Sequence, residues 1–281
     1  MLGDSMDYAI CNETFADWPL SKALELAAAT GYTGWEVAPF TLADDPRGFS
    51  AAQRNEYRRQ VEASGLQIIG LHWLLAKTQG LHLTTMDAEV RKRTSDYLSV
   101  LIDLCADLGG RLMVLGSPQQ RNVAAGQSME SALANAAEVI RAVVPRLEHH
   151  AVKIAVEPLG RQEGNFLNTA AQARQLIDMI DSPQVQLHLD VKAMSDEGTP
   201  IAEIVRDNAD AMIHFHANDP NRRGPGMGDV DFVPIFTALK QIGYRGWVSV
   251  EVFDYEPGVE CLVVESMRNM RRAVAEVEAK V

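Results

Sequence analysis

Cysteine is scarce: Cys11, Cys105 and Cys261 are odd in number, far apart and without a C-x-x-C pair, so neither a disulfide framework nor a thiolate zinc site is indicated. A reducing, cytoplasmic setting fits that usage. No stretch approaches the ~18 continuous apolar residues of a membrane span. The opening segment, Met1 to Ile10, contains Asp4 and Asp7 and lacks the basic start and apolar run of a secretory signal. Basic residues are also in deficit, 26 against 38 acidic, and the formal charge of -12 repels phosphate backbones. The short basic runs Arg91-Lys92-Arg93 and Arg271-Arg272 fall in helical stretches and read as solvated faces. Neither nucleic acid nor a membrane is therefore expected as a partner. A G-x-G-x-x-G turn after the first apolar run is missing too, which removes the main argument for a dinucleotide fold.

What the chain does have is a large apolar complement, 47% of 281 residues, with 23% charged, the profile of a globular protein with a sizeable core. Short apolar runs alternate with longer amphipathic stretches, and no composition break or linker marks a second domain. Eight such pairs are present. Strands are expected at 7–14, 34–39, 66–73, 111–117, 153–159, 185–191, 211–218 and 246–253. Helices are expected near 19–30, 49–64, 86–108, 128–149, 169–181, 200–208, 233–242 and 256–279. Gly31, Gly65, Gly109-Gly110 and Gly243 stand where helices should stop, and Ser128 and Thr169 where helices should start. Eight strand-helix repeats in this length favour closure over an open sheet, so the expected fold is a single (β/α)8 TIM barrel, one catalytic domain over residues 1–281.

In such a barrel the reacting groups sit at the C-terminal ends of the strands, where alternate side chains point into the mouth. Period-2 alternation turns Ala155 and Glu157 inward on strand five, His188 and Asp190 on strand six, His214 and His216 on strand seven, and Ser249 and Glu251 on strand eight. Carboxylates brought so close would resist ionisation unless a cation lay between them. Glu157, Asp190, His216 and Glu251 are therefore the expected ligands of one divalent metal ion per chain. The mostly oxygen set suits Mn2+, Mg2+ or Co2+, with Zn2+ also compatible. Glu36 ends strand two and His72 ends strand three; both are candidates for the pocket lining, or else buried hydrogen-bonded struts. His188 lies one layer below Asp190, where it can support a ligand or meet substrate. His82, His149 and His150 read as surface residues. Trp35 and Trp73 have the opposite parity to Glu36 and His72 and are expected to pack outward.

With these residues in place the chain resembles the xylose-isomerase-like sugar isomerase and epimerase superfamily over essentially its whole length, with the closest pattern in the D-tagatose and D-psicose 3-epimerase-like ketose 3-epimerases. Glu157-Pro158-Leu159-Gly160-Arg161-Gln162-Glu163 resembles that group's E-P-L-x-R-x-E motif. The resemblance implies that Glu157 binds metal and acts as acid and base and that Glu163 contacts substrate. The run from His216 to Arg222, followed by Gly224-Pro225-Gly226-Met227-Gly228, is similar to the group's H-x-x-x-x-N-R and glycine-rich loop, which implies His216 as a ligand and Arg222 as a holder of substrate oxygens. The second catalytic Glu of the group matches Glu251. One departure stands out: a substrate-contacting His usually follows the metal-binding Asp by three residues, whereas Asp190 is followed by Val191-Lys192-Ala193. Lys192 either replaces that contact as a cationic donor or is a surface lysine.

The implied chemistry is metal-assisted proton transfer beside a carbonyl of a ketose or related keto-sugar, through a metal-stabilised enediolate, with Glu157 and Glu251 as the two bases. Isomerisation would need one face only. A dehydratase or lyase acting on a keto-sugar or keto-inositol would need a further proton donor such as Lys192 or His72. A non-catalytic sugar-binding barrel is the alternative outside enzymes. An endonuclease IV-like DNA-repair activity is disfavoured, because Ala193 and Arg223 stand where that branch has further histidines. The sequence leaves open the sugar, its phosphorylation, the native metal and whether the chain forms a homo-oligomer.

Overall fold

A computed structural model describes residues 6–279; residues 1–5, with Asp4 of the leader reading, lie outside the described residues. Strands β1 (Asp7–Cys11), β2 (Gly34–Val37), β3 (Gln67–Leu71), β4 (Leu112–Leu115), β5 (Lys153–Val156), β6 (Val185–Asp190), β7 (Met212–Ala217) and β8 (Trp247–Val250) pair in parallel and in order, and β8 closes on β1. This is the (β/α)8 barrel the alternation predicts. Each strand is apolar on its outer face: Ile10, Val37, Leu71, Met113, Ile154, Leu187, Phe215 and Val248 join the core shared with the helices. The interior face is different. Leu112, Val114 and Ala155, with Ile213 against them, form a small apolar cluster of their own, while Glu36, His188, Asp190, His214 and His216 are fully buried polar groups. An apolar plug below and a polar layer above is the arrangement that reserves one end of a barrel for chemistry.

The crossovers carry helices α1 (Leu20–Thr30), α2 (Ala51–Ala63), α3 (Ala88–Asp107), α4 (Met129–Arg141), α5 (Val144–His150), α6 (Ala170–Ile180), α7 (Val191–Met194), α8 (Ile201–Asp207), α9 (Phe232–Gln241) and α10 (Val259–Glu278). Ser128 and Thr169 cap α4 and α6, their hydroxyls accepting the amides of Ser131 and Gln172. Gly31 ends α1 at φ 102°. Two expectations change. The helix expected over 128–149 divides into α4 and α5, because Pro145, in the first turn of α5, has no N–H to continue a helix. The expected strands also overrun their ladders: the chain leaves β1 at Cys11 for a 3-10 turn at Asn12–Phe15, leaves β5 at Val156, and enters the one-turn α7 directly after β6. Glu157 and Glu251 therefore stand just beyond their strands, where side chains reach over the barrel mouth.

Two bulges tune the register. Trp35 pairs with Ile68 and Glu36 with Gly70, which leaves Ile69 as an extra residue of β3. Leu187 pairs with Met212 and His188 with His214, which leaves Ile213 extra in β7. An extra residue resets the alternation, so Ile213 can pack on the interior plug while His214 and His216 also turn inward. No helix among the described residues is long and apolar enough to cross a membrane.

Candidate metal and substrate site

The site is built on Glu36, fully buried at the end of β2. Its carboxylate is 3.0 Å from His214 Nε2 and 3.2 Å from His216 Nε2. Burial opposes its charge, but the two imidazoles outweigh that and hold the carboxyl well below its usual range. Glu36 thus orients His216 from below, and His216 presents Nδ1 upward, 3.1 Å from Glu251 Oε2.

Above this floor, one donor atom each from Glu157, His188, Asp190 and His216 lie within 4.8 Å of one another, all four residues buried. His188 Nε2 stands 4.0 Å from Glu157 Oε1, and neither ring nitrogen of His188 has a hydrogen-bond partner. Asp190 is held on both sides: Oδ1 accepts the Ala193 amide at 2.8 Å and Oδ2 accepts Asn218 Nδ2 at 2.6 Å. Asn218 Oδ1 in turn accepts the Lys192 amide, so one side chain fixes both the carboxylate and the start of α7. Arg121, also buried, donates from Nη1 to the Glu157 carbonyl at 2.7 Å and secures the strand end that carries the carboxylate. Space for that carboxylate exists because residue 116 is glycine; a Cβ there would lie 1.5 Å from Glu157 Oε2.

The electrostatics describe a site short of positive charge. Burial, then the charges of Glu251 and Asp190, push the Glu157 carboxyl well above its ordinary range. Burial also raises Glu251, partly offset by His216. Burial opposes a charge on His216, but Glu36 and Glu251 outweigh it and raise the imidazole well above its usual range. Burial and the neighbouring His216 and His214 depress His188, leaving a neutral imidazole with free nitrogens. Carboxylates that burial and one another push upward are what a bound cation would relieve.

Glu251 belongs with a second group. Its carboxylate, Cys11 Sγ, a Glu13 oxygen and a His72 nitrogen also lie within 4.8 Å of one another. His72 Nε2 and Glu13 Oε2 are 2.7 Å apart.

Over the mouth, Glu157, Glu163, Lys192, Arg222, Trp73 and Phe253 border a cavity of about 440 Å³. Trp73, Arg222 and Phe253 also border an adjoining space of about 570 Å³ that reaches Glu13 and Tyr255. Lys192 Nζ is 2.6 Å from Glu163 Oε2 and 4.8 Å from the Phe253 ring centroid. Burial opposes its charge, but Asp190 and Glu163 outweigh it and raise the ammonium above its usual range. Trp73 and Arg222 sit at φ 52° and 70°, left-handed conformations that are costly for such side chains and that cluster at functional sites.

Of the residues picked from sequence, Glu157, Asp190 and His216 are brought together, with His188 beside them and Glu251 one hydrogen bond away. Lys192, Glu163 and Arg222 border the cavity; at 5% exposure Lys192 is no surface lysine. His72, Glu36 and His188 are fully buried and do not border it. Trp35 packs outward against Phe15 and donates to Tyr57, as its parity predicts. Trp73 does not: β3 has ended by Leu71, so alternation no longer governs, and its ring stacks between Phe40 and Phe253 at the mouth. Sequence reasoning missed Glu13, Gly116, Arg121 and Asn218. Asn218 alone carried a signal, two residues beyond His216 on an inward parity.

Comparison with known proteins follows the same lines. The family model of xylose isomerase-like TIM barrels matches residues 24–273. A probable ketose 3-epimerase of Synechocystis sp. is 32% identical over 181 residues, which span 63% of this chain and 62%, under two thirds, of that protein. A ketose 3-epimerase of Arthrobacter globiformis is 28% identical over 226 residues, 80% of this chain and 75% of that one. A crystal structure of D-psicose 3-epimerase in the presence of D-fructose shares the fold at a TM-score of 0.80 and 21% identity, covering 96% of this chain and 97% of its own.

Proposed function

The chain belongs to the xylose isomerase-like TIM barrel family, and on that premise we propose that it is a divalent-metal-dependent isomerase or epimerase of a ketose or related keto-sugar. The observation that carries this reading is the buried group of Glu157, His188, Asp190 and His216, with Glu251 beside it, under a cavity bordered by Lys192, Glu163 and Arg222. The names of the relatives support the substrate class. The donor set fits a divalent ion: both His188 nitrogens lack hydrogen-bond partners, burial and the neighbouring Glu251 and Asp190 push the Glu157 carboxyl well above its ordinary range, and Gly116 leaves that carboxylate room. Glu157, Asp190 and His216 would hold the ion, completed by Glu251 or by His188. Oxygen-rich donors favour Mn2+, Mg2+ or Co2+, and each imidazole nitrogen added makes Zn2+ more competitive. When bound, such an ion polarises a carbonyl and acidifies the neighbouring C–H.

The chain's own residues do the rest. Glu157 follows β5 and Glu251 follows β8, with β6 and β7 between them, so the two carboxylates approach a bound carbon from different sides. One takes the proton beside the carbonyl, leaving an enediolate; the other returns a proton to the opposite face, which inverts the carbon. If the same carboxylate returned it to the neighbouring carbon, the result would be isomerisation. Lys192 and Arg222 offer cationic donors to substrate oxygens and Glu163 an acceptor, while Trp73 and Phe253 border the cavity as apolar walls against water.

Turnover in deuterated water tests this reading. The product should acquire deuterium at the reacting carbon, and Glu157→Gln or Glu251→Gln should lower kcat on the order of 10²-fold or more at equal metal occupancy. Product formed at the full rate without deuterium would replace proton transfer by a hydride shift.

A further inference from the structure

We propose that Cys11, Glu13, His72 and Glu251 form a second divalent-cation site, softer than the first, and that Glu251 is shared between the two. The inference goes beyond the proposed reaction, which needs one ion. The four residues come from separate elements: Cys11 ends β1, Glu13 lies in the 3-10 turn that follows, His72 stands just past β3 and Glu251 just past β8. They line the wall of the barrel opposite β5 and β6, which supply Glu157 and Asp190. Their donor atoms, one sulfur, one nitrogen and two carboxylate oxygens, lie within 4.8 Å of one another.

A hydrogen-bonded strut does not account for this group. His72 and Glu13 meet through Nε2 and Oε2, yet His72 Nδ1 and Glu13 Oε1 are buried without a hydrogen bond of ordinary geometry. Unpaired buried polar atoms are costly, and two in one four-residue cluster ask for a ligand. The Cys11 thiol lies 3.7 Å from Glu36 Oε2 and 3.7 Å from Ser249 Oγ, and it also faces His72 and His216. An entry path exists, because Glu13 borders the outer part of the mouth. The two groups also touch: His72 and His216 stack edge-on at 6.1 Å, and Glu251 meets His216 Nδ1 at 3.1 Å. A carboxylate placed between two donor sets is the usual bridge of a two-metal centre.

Thiolate and imidazole among the donors select Zn2+ or Co2+ over Mg2+ and Ca2+. Binding would release the thiol proton to solvent as the cation takes the sulfur. The test is to strip the purified chain with chelator, reload it with Zn2+ or Co2+, and measure ions per chain by elemental analysis and the near-ultraviolet thiolate-to-Co2+ band. The wild type should take up about two Zn2+ per chain, as a carboxylate-bridged pair requires, and show the band. Cys11→Ser and His72→Gln should each fall to about one ion, Cys11→Ser losing the band altogether, whereas Asp190→Asn should lose the other ion and keep it. A wild type that shows the band with a single ion would uphold this site and remove the one under the cavity. A wild type with one ion and no band, or a band that survives Cys11→Ser, overturns the proposal, and the wild-type reading stands whatever the variants do to folding.

Discussion

A missing side chain shapes the site as firmly as any present one. With a Cβ at residue 116, Glu157 Oε2 would have to leave the donor group, because that Cβ would lie 1.5 Å away and the strand end is pinned by Arg121. Gly116→Ala should therefore leave the fold intact and weaken metal binding about 10- to 100-fold, the consequence of the 1–3 kcal/mol that such overpacking typically costs. Calorimetric titration alongside circular dichroism reads both; undiminished affinity would mean that Glu157 is not a ligand. Lys192 offers the complementary case. Its ammonium, 5% exposed and 2.6 Å from Glu163, faces the cavity bordered by Glu157 and Arg222. Lys192→Met should raise KM about tenfold or more, the value of one charged hydrogen bond, while ion stoichiometry stays unchanged. Unaltered kinetics would reduce the lysine to a partner of Glu163. The four residues of the expected ligand set were picked out because inward parity and the strand-end rule act on single positions; Glu157, Asp190 and His216 share one donor group, while Glu251 stands in the neighbouring one. Glu13 and Arg121 were not: Glu13 lies in a 3-10 turn where a strand was expected, and Arg121 in a loop whose course depends on what it packs against.

At the scale of elements, strand ends aim the chemistry and loops lock them together. Asn218, just past β7, holds the Asp190 carboxylate with its amide nitrogen and the first turn of α7 with its oxygen. Asn218→Ala should thus loosen the ion by 10- to 100-fold, the range for removing an outer-shell partner, although residue 218 need never touch metal. A titration that returns the wild-type affinity would show α7 to be held by other means. Sheet register is protected by a second close approach: a Cβ on Gly70 would stand 2.0 Å from the Leu112 carbonyl oxygen, a backbone atom that cannot swing aside. Gly70→Ala should part β3 from β4 and lower the thermal midpoint far more than Ser50→Ala, which removes only the capping box of α2, worth about 1 kcal/mol. Comparable midpoints in the two variants would show that β3 can shift. Strand identity was readable from the apolar runs, but the bulges at Ile69 and Ile213 were not. They arise from how neighbouring strands fit around a closed barrel, and no local pattern in Gln67–Leu71 or Met212–Ala217 announces them.

The whole molecule couples this buried charge to its stability through pH. Without a cation the folded chain holds Glu157 and Glu251 above the ordinary carboxylate range, so it retains protons that the unfolded chain has already released, and stability falls as pH rises through that window. His216 and His72, both raised, act in the same sense: what they contribute is complete below the ordinary histidine range and is lost as pH climbs through their folded values. Burial gives His188 and His214 the opposite slope, since lowered imidazoles contribute fully only above that range. Glu36, held low by its two imidazoles, contributes at any pH above the ordinary carboxylate range and matters only in acid. Glu157, His216 and His72, each raised well above its ordinary range, outweigh the lowered His188 and His214, whose contribution is already complete above the ordinary histidine range, so the stripped chain should be less stable at pH about 8 than at pH about 6. A bound divalent ion would supply positive charge there, and each proton it displaced would make its apparent affinity tighten about tenfold per pH unit. The rise in thermal midpoint on adding Mn2+ should therefore grow steadily from pH about 6 to about 8. Scanning calorimetry of stripped and reloaded protein at several pH values measures it. A midpoint shift that stayed constant across the range would mean that the ion binds without displacing protons from these carboxylates and imidazoles, and the donor set would have to be sought elsewhere.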